Sequence, residues 1–137
     1  MIEEAIKTTL RNNLALMTLL GVGRNGAVDL LDVAQDTRAP YLTFNMGDGQ
    51  RMGRGNLCNT GELGLLAQQI LIMPWAETAP EVKAINDAAR AALLASLAST
   101  AGASVQSIQW TGYRPWAREP GTNLLTRGQV FTVQHIE

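Results

Sequence analysis

Between Gly47 and Gly64 the chain places six glycines in eighteen residues, GDGQRMGRGNLCNTGELG, and sets an apolar run on either side. A helix interior loses about 1 kcal/mol for each glycine relative to alanine, so this stretch reads as loop. The run before it, PYLTFNM from Pro40, is rich in aromatic and β-branched residues, and Pro40 disfavours helix at Ala39. The run after it, LGLLAQQILIMPW, is long enough for either helix or strand. Its position across a glycine loop from a strand, and Pro74 near its end, favour strand. A long β-hairpin is therefore the expected centre of the fold.

Two helices frame this hairpin. Ile2, Ile6, Leu10, Leu14 and Met17 recur at steps of three and four, which predicts one helix over residues 2–20. Glu3 and Glu4 occupy its first turn, where the helix dipole favours carboxylates, and Lys7 and Arg11 follow along it. Gly21 and Gly23 stop it. The second helix starts at Thr78, with Glu81 three residues on and Pro80 between them, a capping box. Val82, Ile85, Ala89, Ala92, Leu93, Ser96 and Leu97 then form a stripe of largely small side chains, which lets a helix sit close on a sheet. STAGAS ends it.

Further strands complete the pattern. Residues 24–36, RNGAVDLLDVAQD, read as a short strand around Ala27–Leu31 followed by an irregular segment. VQSIQW alternates, with Ile108 and Trp110 to one side and Ser107 and Gln109 to the other, as a half-buried strand does. GYRPWAREPGTN reads as a loop, and LLTRGQVFTVQHI as a last strand carrying Val130, Phe131 and Val133. The fold class is α+β: an antiparallel or mixed sheet of about four to five strands, whose faces take two helices, with a long β-hairpin. No repeat, low-complexity tract or linker interrupts residues 1–137, so the chain is read as a single domain.

A hydrophobic share of 46% with 17% charged residues is that of a globular protein able to bury one core. A net charge of −1 argues against non-specific nucleic-acid binding by an isolated subunit. Any contact with DNA has to come from local patches, or from many copies presenting one patch. Cys58 is the single cysteine, which excludes an intrachain disulfide and fits a reducing site of synthesis. The N-terminus opens with two glutamates and lacks a basic region and a small-residue cleavage site, so it does not read as a signal peptide. No apolar run reaches the roughly 18 residues of a spanning helix. A soluble product made in the cytoplasm is the expectation.

Several motifs invite chemistry and fail on context. GVGRNG, residues 21–26, matches G-x-G-x-x-G, but a helix precedes it where a strand is required. GDGQRMGRG, residues 47–55, follows a strand yet lacks the Gly-Lys-Ser/Thr ending of a phosphate-binding loop, and a strand follows where a helix should. It reads better as a hairpin tip carrying Arg51 and Arg54, and such tips are common contact points. Cys58 and His135 form a thiolate–imidazole pair only if the fold unites them, and nothing else points to activation. One cysteine and one histidine are too few for zinc, and Asp29, Asp32 and Asp36 lack the spacing of a calcium loop. Trp75 and Trp110 read as core or sheet-edge residues. Trp116 sits between Arg114 and Arg118 in YRPWAREP, a composition that suits either a subunit contact or local packing. No catalytic constellation emerges, and no cofactor or metal is called for.

Four stretches together carry a likeness: MIEEAIKTTLRNNLALMTLLG at the start, QDTRAPYLTF before the first long strand, WAETAPEVKAINDAARAAL at the strand-to-helix junction, and GQVFTVQHIE at the end. In this order, spread across nearly the whole chain, they resemble the tail-completion or tail-terminator family of long-tailed bacteriophages and related prophage and gene-transfer particles. The chain departs from that pattern in its first strand, where an Ile/Val-Tyr-Pro type segment is replaced by AVDLLDVA. The partner of that strand, and with it the edge of the sheet, is left open.

The resemblance implies a non-enzymatic virion structural protein at the tail–head junction, assembled in the host cytoplasm. It implies a homo-oligomeric ring, usually a hexamer, that seats on the tail tube protein and stops tube growth. The ring then meets the head–tail connector or neck proteins, and genomic double-stranded DNA passes through its lumen without sequence specificity. Ring closure by head-to-tail contacts would turn Arg51 and Arg54 of loop 47–61 into a belt of positive charge, facing either DNA or an acidic tube surface. Arg114, Trp116 and Arg118 are the other candidate contact residues. The alternatives are another neck component, such as a head-completion or stopper protein, and a small ligand-binding or enzymatic α+β domain.

Overall fold

The computed structural model describes residues 2–21, 28–30, 39–47, 50–51, 65–101, 105–121 and 123–136, with backbone alone at 30, 50, 51, 65, 98–101 and 136. The predicted N-terminal helix is two helices, α1 (Ile2–Arg11) and α2 (Leu14–Leu20). Asn13 causes the break: with φ −84° and ψ 112° it leaves the helical region, and its Oδ1 accepts the Leu16 amide at 2.8 Å. An asparagine side chain that satisfies an orphan amide makes a new helix start cheaper than continuing the old one. The break also rephases the apolar stripe. Ile6, Leu10 and Met17 are buried as expected, but Leu14 is 75% exposed, and Leu16 and Leu20 take the other inward positions. Gly21, at φ 110°, ends α2 with a conformation that a side chain would oppose.

The strands are β1 (Val28–Leu30), β2 (Tyr41–Met46), β3 (Gln50–Arg51), β4 (Leu65–Ala76), β5 (Val105–Arg118) and β6 (Leu125–Ile136), with α3 (Ala79–Ala101) between β4 and β5. The main path runs β1-β2-β4-β6-β5, and β3 pairs β4 beyond β2. β1 is parallel to β2, and the other pairings are antiparallel, so the sheet is mixed. The long hairpin holds. Met46 lies opposite Ile70 and Gln50 opposite Ala67, so β3 continues the line of β2 with one extra residue on its side. β4 and β5 run the same way, joined over α3, and β6 returns between them: a split crossover unit.

The three helices among the described residues lie in one layer, α1 over β1 and α3 over β4, β5 and β6, rather than on both faces as anticipated. The core between that layer and the sheet holds Ile6, Leu10, Leu20, Phe44, Ile70, Ile72, Val82, Ile85, Leu93, Leu97, Phe131 and Val133. Burying each of the larger of these side chains contributes roughly 1.5–3 kcal/mol. On α3 the expected stripe is buried except Ser96, which is exposed; Asn86 takes an inward place instead. Its cap forms as predicted at Thr78, whose Oγ1 accepts the Glu81 amide at 3.4 Å and donates to the Glu81 carboxylate at 2.9 Å. On the other face Leu71, Met73 and Trp75 are half-buried, and Trp75 Nε1 donates to Thr43 Oγ1 at 3.1 Å.

Candidate functional site

Of the segment GYRPWAREPGTN, anticipated as loop, residues 112–118 are strand, while Glu119, Pro120 and Gly121 leave the strand as expected. β5 pairs β6 from Val105 opposite His135 to Arg118 opposite Leu125. Register shifts between Trp110 and Gly112 and between Tyr113 and Trp116 each place an extra residue on β5. Such bulges explain why turn-forming residues did not end the strand. Gly112, at φ 148°, fits the first shift, and the second holds Pro115, which an edge strand or a bulge tolerates. The hairpin closes through Glu119 and Leu124, whose amide and carbonyl lie 2.9 Å apart, with Gly121 and Asn123 at positive φ.

Along this hairpin arginines and aromatic rings alternate. Arg90 of α3 stands 4.8 Å from the Trp110 ring. Trp110 meets Tyr113 edge to face at 5.2 Å. Arg127 of β6 covers Tyr113 at 4.2 Å and reaches Trp116 at 5.4 Å. Trp110, Tyr113 and Trp116 remain 36–42% exposed, so the stack is an exposed surface and not a core. Beneath it lies a buried polar latch. Trp110 Nε1 donates to Gln129 Oε1 at 3.1 Å, Gln129 Nε2 to the Asn86 carbonyl at 2.8 Å, and Asn86 Nδ2 to the Arg127 carbonyl at 2.8 Å. The latch fixes α3 against β6 and holds Trp110 in place. Trp110 thus takes the sheet-edge alternative of its reading, on the edge strand β5 and exposed within the stack.

The expected contact residues divide between two ends of the sheet. Arg114, Trp116 and Arg118 lie near the β5–β6 turn, all exposed. Arg51 lies opposite Leu66 of β4, at the row of Val105 and His135. Arg118 shares the row of Leu125 and Ala76, ten residues of β4 away, or about 33 Å. Arg54 and most of loop 47–61 lie outside the described residues, as do Cys58, Asp32, Asp36 and the glycines of GVGRNG after Gly21. His135 is buried on β6, with Nε2 2.9 Å from Gln68 Oε1, while Gln68 Nε2 donates to the Gly47 carbonyl. Asp29 lies 3.3 Å from Lys7. Arg90, Tyr113 and Arg127 were not singled out in the sequence, because their meeting depends on sheet register and helix placement.

Among the described residues no cluster of His, Cys, Asp and Glu could hold a metal ion. On the open face of the sheet a depression of about 140 Å³ is lined by Asn45, Met46, Gly47, Gln69, Leu71, Arg114 and Val130. That is below the roughly 300 Å³ at which small-molecule sites begin, and it presents no acid–base pair. Among the described residues no helix is long and apolar enough to cross a membrane.

The fold itself has a known counterpart. It is shared with a chain from a virion. That structure is titled virion of native gene transfer agent (GTA) particle; its chain matches with a TM-score of 0.68 and 15% identity, over 98% of this chain and 94% of that one. No family model matches the sequence, and no curated protein does. At this identity the likeness establishes the fold, and function has to be argued separately.

Proposed function

We propose that this protein is a structural component of a phage-like virion, acting by shape and stepwise binding without turnover. The observation that carries this reading is the match to a virion chain across nearly the full length of both chains. A split crossover sheet with two long hairpins reaching opposite ends, and one exposed aromatic–arginine surface, supports an assembly role. Within that class the proposed part is the ring that ends tail-tube growth and joins the tail to the neck. The four sequence stretches that resemble the tail-terminator family favour it. The ring's proposed neighbours are the tail tube protein and the head–tail connector or neck proteins, with genomic duplex DNA passing through.

The test is deletion of the gene followed by electron microscopy of the particles. Overlong tails, or tails of regular tube without heads, are the expected result. Tails of normal length beside heads that leak DNA would assign the protein to the head side of the neck, and normal infectious particles would remove the reading.

A further inference from the structure

We propose that the aromatic–arginine hairpin is one half of a head-to-tail contact between copies of this chain, and that the α1–β1 edge of the next copy is the other half. The proposal builds on the ring reading and adds which surfaces meet. Among the described residues β5 and β1 terminate opposite ends of the strand order, so a contact from the β5 edge of one copy to the β1 edge of another cannot be two-fold. It leaves one free surface of each kind at the ends and therefore propagates, closing into a ring when the rotation allows.

Charge supports this choice of partner. The hairpin, residues 105–136, carries Arg114, Arg118 and Arg127 against Glu119 alone. α1 and β1 carry Glu3, Glu4 and Asp29 against Lys7 and Arg11, and the Arg11 guanidinium is directed at the Val28 carbonyl at 2.8 Å. Lys7 stands 3.7 Å from Glu4 and 3.3 Å from Asp29, with the Glu4 side chain still 71% exposed. Three arginines against one glutamate at the β5 edge of the sheet thus match three carboxylates against two cations at the β1 edge.

The chemistry of the hairpin also favours a protein partner over nucleic acid. Arg90 and Arg127 lie against ring faces instead of standing as free cations, and exposed Trp, Tyr and Arg together are the composition of protein interface hot spots. The bulges and Pro115 break the regularity of β5, which disfavours simple addition of a strand and leaves side-chain docking as the mode of contact.

The test uses the full-length protein, sedimented over a concentration series reaching about 1 mM, where even a weak contact is populated. The wild type is expected to self-associate, more weakly at high salt. Three variants follow: Arg114→Glu with Arg118→Glu, Glu3→Lys with Glu4→Lys, and Trp116→Ala. Each charge variant alone loses at least about tenfold in association, and Trp116→Ala about thirtyfold, with thermal melts close to wild type. Mixing the two charge variants restores association, because each then finds an opposite surface in both directions. A wild type that stays monomeric throughout overturns the proposal, as does a mixture no better than its parts. Loss of duplex-DNA retention in the arginine variant without loss of association would assign the hairpin to nucleic acid and also overturn it. Overlong tails on gene deletion, with association untouched by these variants, would leave the ring standing and remove only this contact.

Discussion

The latch beneath the exposed stack offers a measurable test of how α3 is held. Gln129 is fully buried and makes two hydrogen bonds, one to the Asn86 carbonyl and one from the Trp110 indole. Gln129→Leu keeps the volume and removes both. The Asn86 carbonyl lies in the middle of α3, and Trp110 is open enough for water to replace its partner, so neither group is wholly orphaned. At about 1 kcal/mol or less for each bond, the expected loss is about 1–2 kcal/mol. For a domain of this size that lowers the melting temperature by roughly 3–8 °C. Gln129→Glu sharpens the argument. An introduced carboxyl at a fully buried position has its pKa raised in the folded state above the roughly 4.3 of the unfolded chain. The folded state then binds more protons, so this variant loses stability as pH rises from 4.3 through the folded pKa, relative to wild type. Thermal melts by circular dichroism across pH 4–8, with the Trp110 indole proton followed by NMR, are the assay. A Gln129→Leu melt within 1 °C of wild type, or a Gln129→Glu variant with the pH dependence of wild type, would refute the buried latch.

Other expectations follow from the same structure. Leu14→Ser is expected to change stability by no more than about 0.5 kcal/mol, because Leu14 is 75% exposed, whereas Leu16→Ala costs about 2–5 kcal/mol in urea unfolding; the reverse ranking would restore a single continuous helix. Asn13→Ala and Thr78→Ala each remove a helix cap and cost about 1 kcal/mol by the same measurement. Phe131→Ala, at a fully buried position on β6, is expected to cost about 3–5 kcal/mol and to leave little folded protein at physiological temperature. On the proposed ring reading alone, Arg51→Glu with Arg54→Glu is expected to impair tail joining and infectivity; normal plaque counts would remove the proposed positive belt.

The order of elements was legible because it rests on local signals. The alternation of VQSIQW and the aromatic PYLTFNM marked strands, and Thr78 with Glu81 marked a helix start, whereas the glycine tract read as loop holds strand β3 at Gln50–Arg51 and from residue 52 to 64 lies outside the described residues. The α+β class and the long hairpin follow from these alone. Even the weak AVDLLDVA strand formed, as Val28–Leu30, although its parallel pairing with β2 could not be read from it. Two misreadings share a cause. The stripe from Ile2 to Met17 looked continuous because period alone does not register a capping asparagine, and the GYRPWAR part of GYRPWAREPGTN looked like loop because glycine and proline end strands unless a bulge absorbs them. Arg114, Trp116 and Arg118 stood out by composition, but the arginines that meet the rings of the stack are Arg90 of α3 and Arg127 of β6, which are distant from one another in sequence.

The amino-acid sequence by itself determined the alternation of helices and strands, the absence of a metal-binding or nucleotide-binding signature, and the near-neutral charge that leaves any binding to local surfaces. Tertiary structure alone decided that β6 lies between β4 and β5, that the helices share one face, and that Arg51 and Arg118 stand at opposite ends of the sheet. The physical reason is range. Propensity, capping and glycine cost act within a few residues, whereas strand order and register are set by side chains that meet only after the chain has closed long loops around a common core.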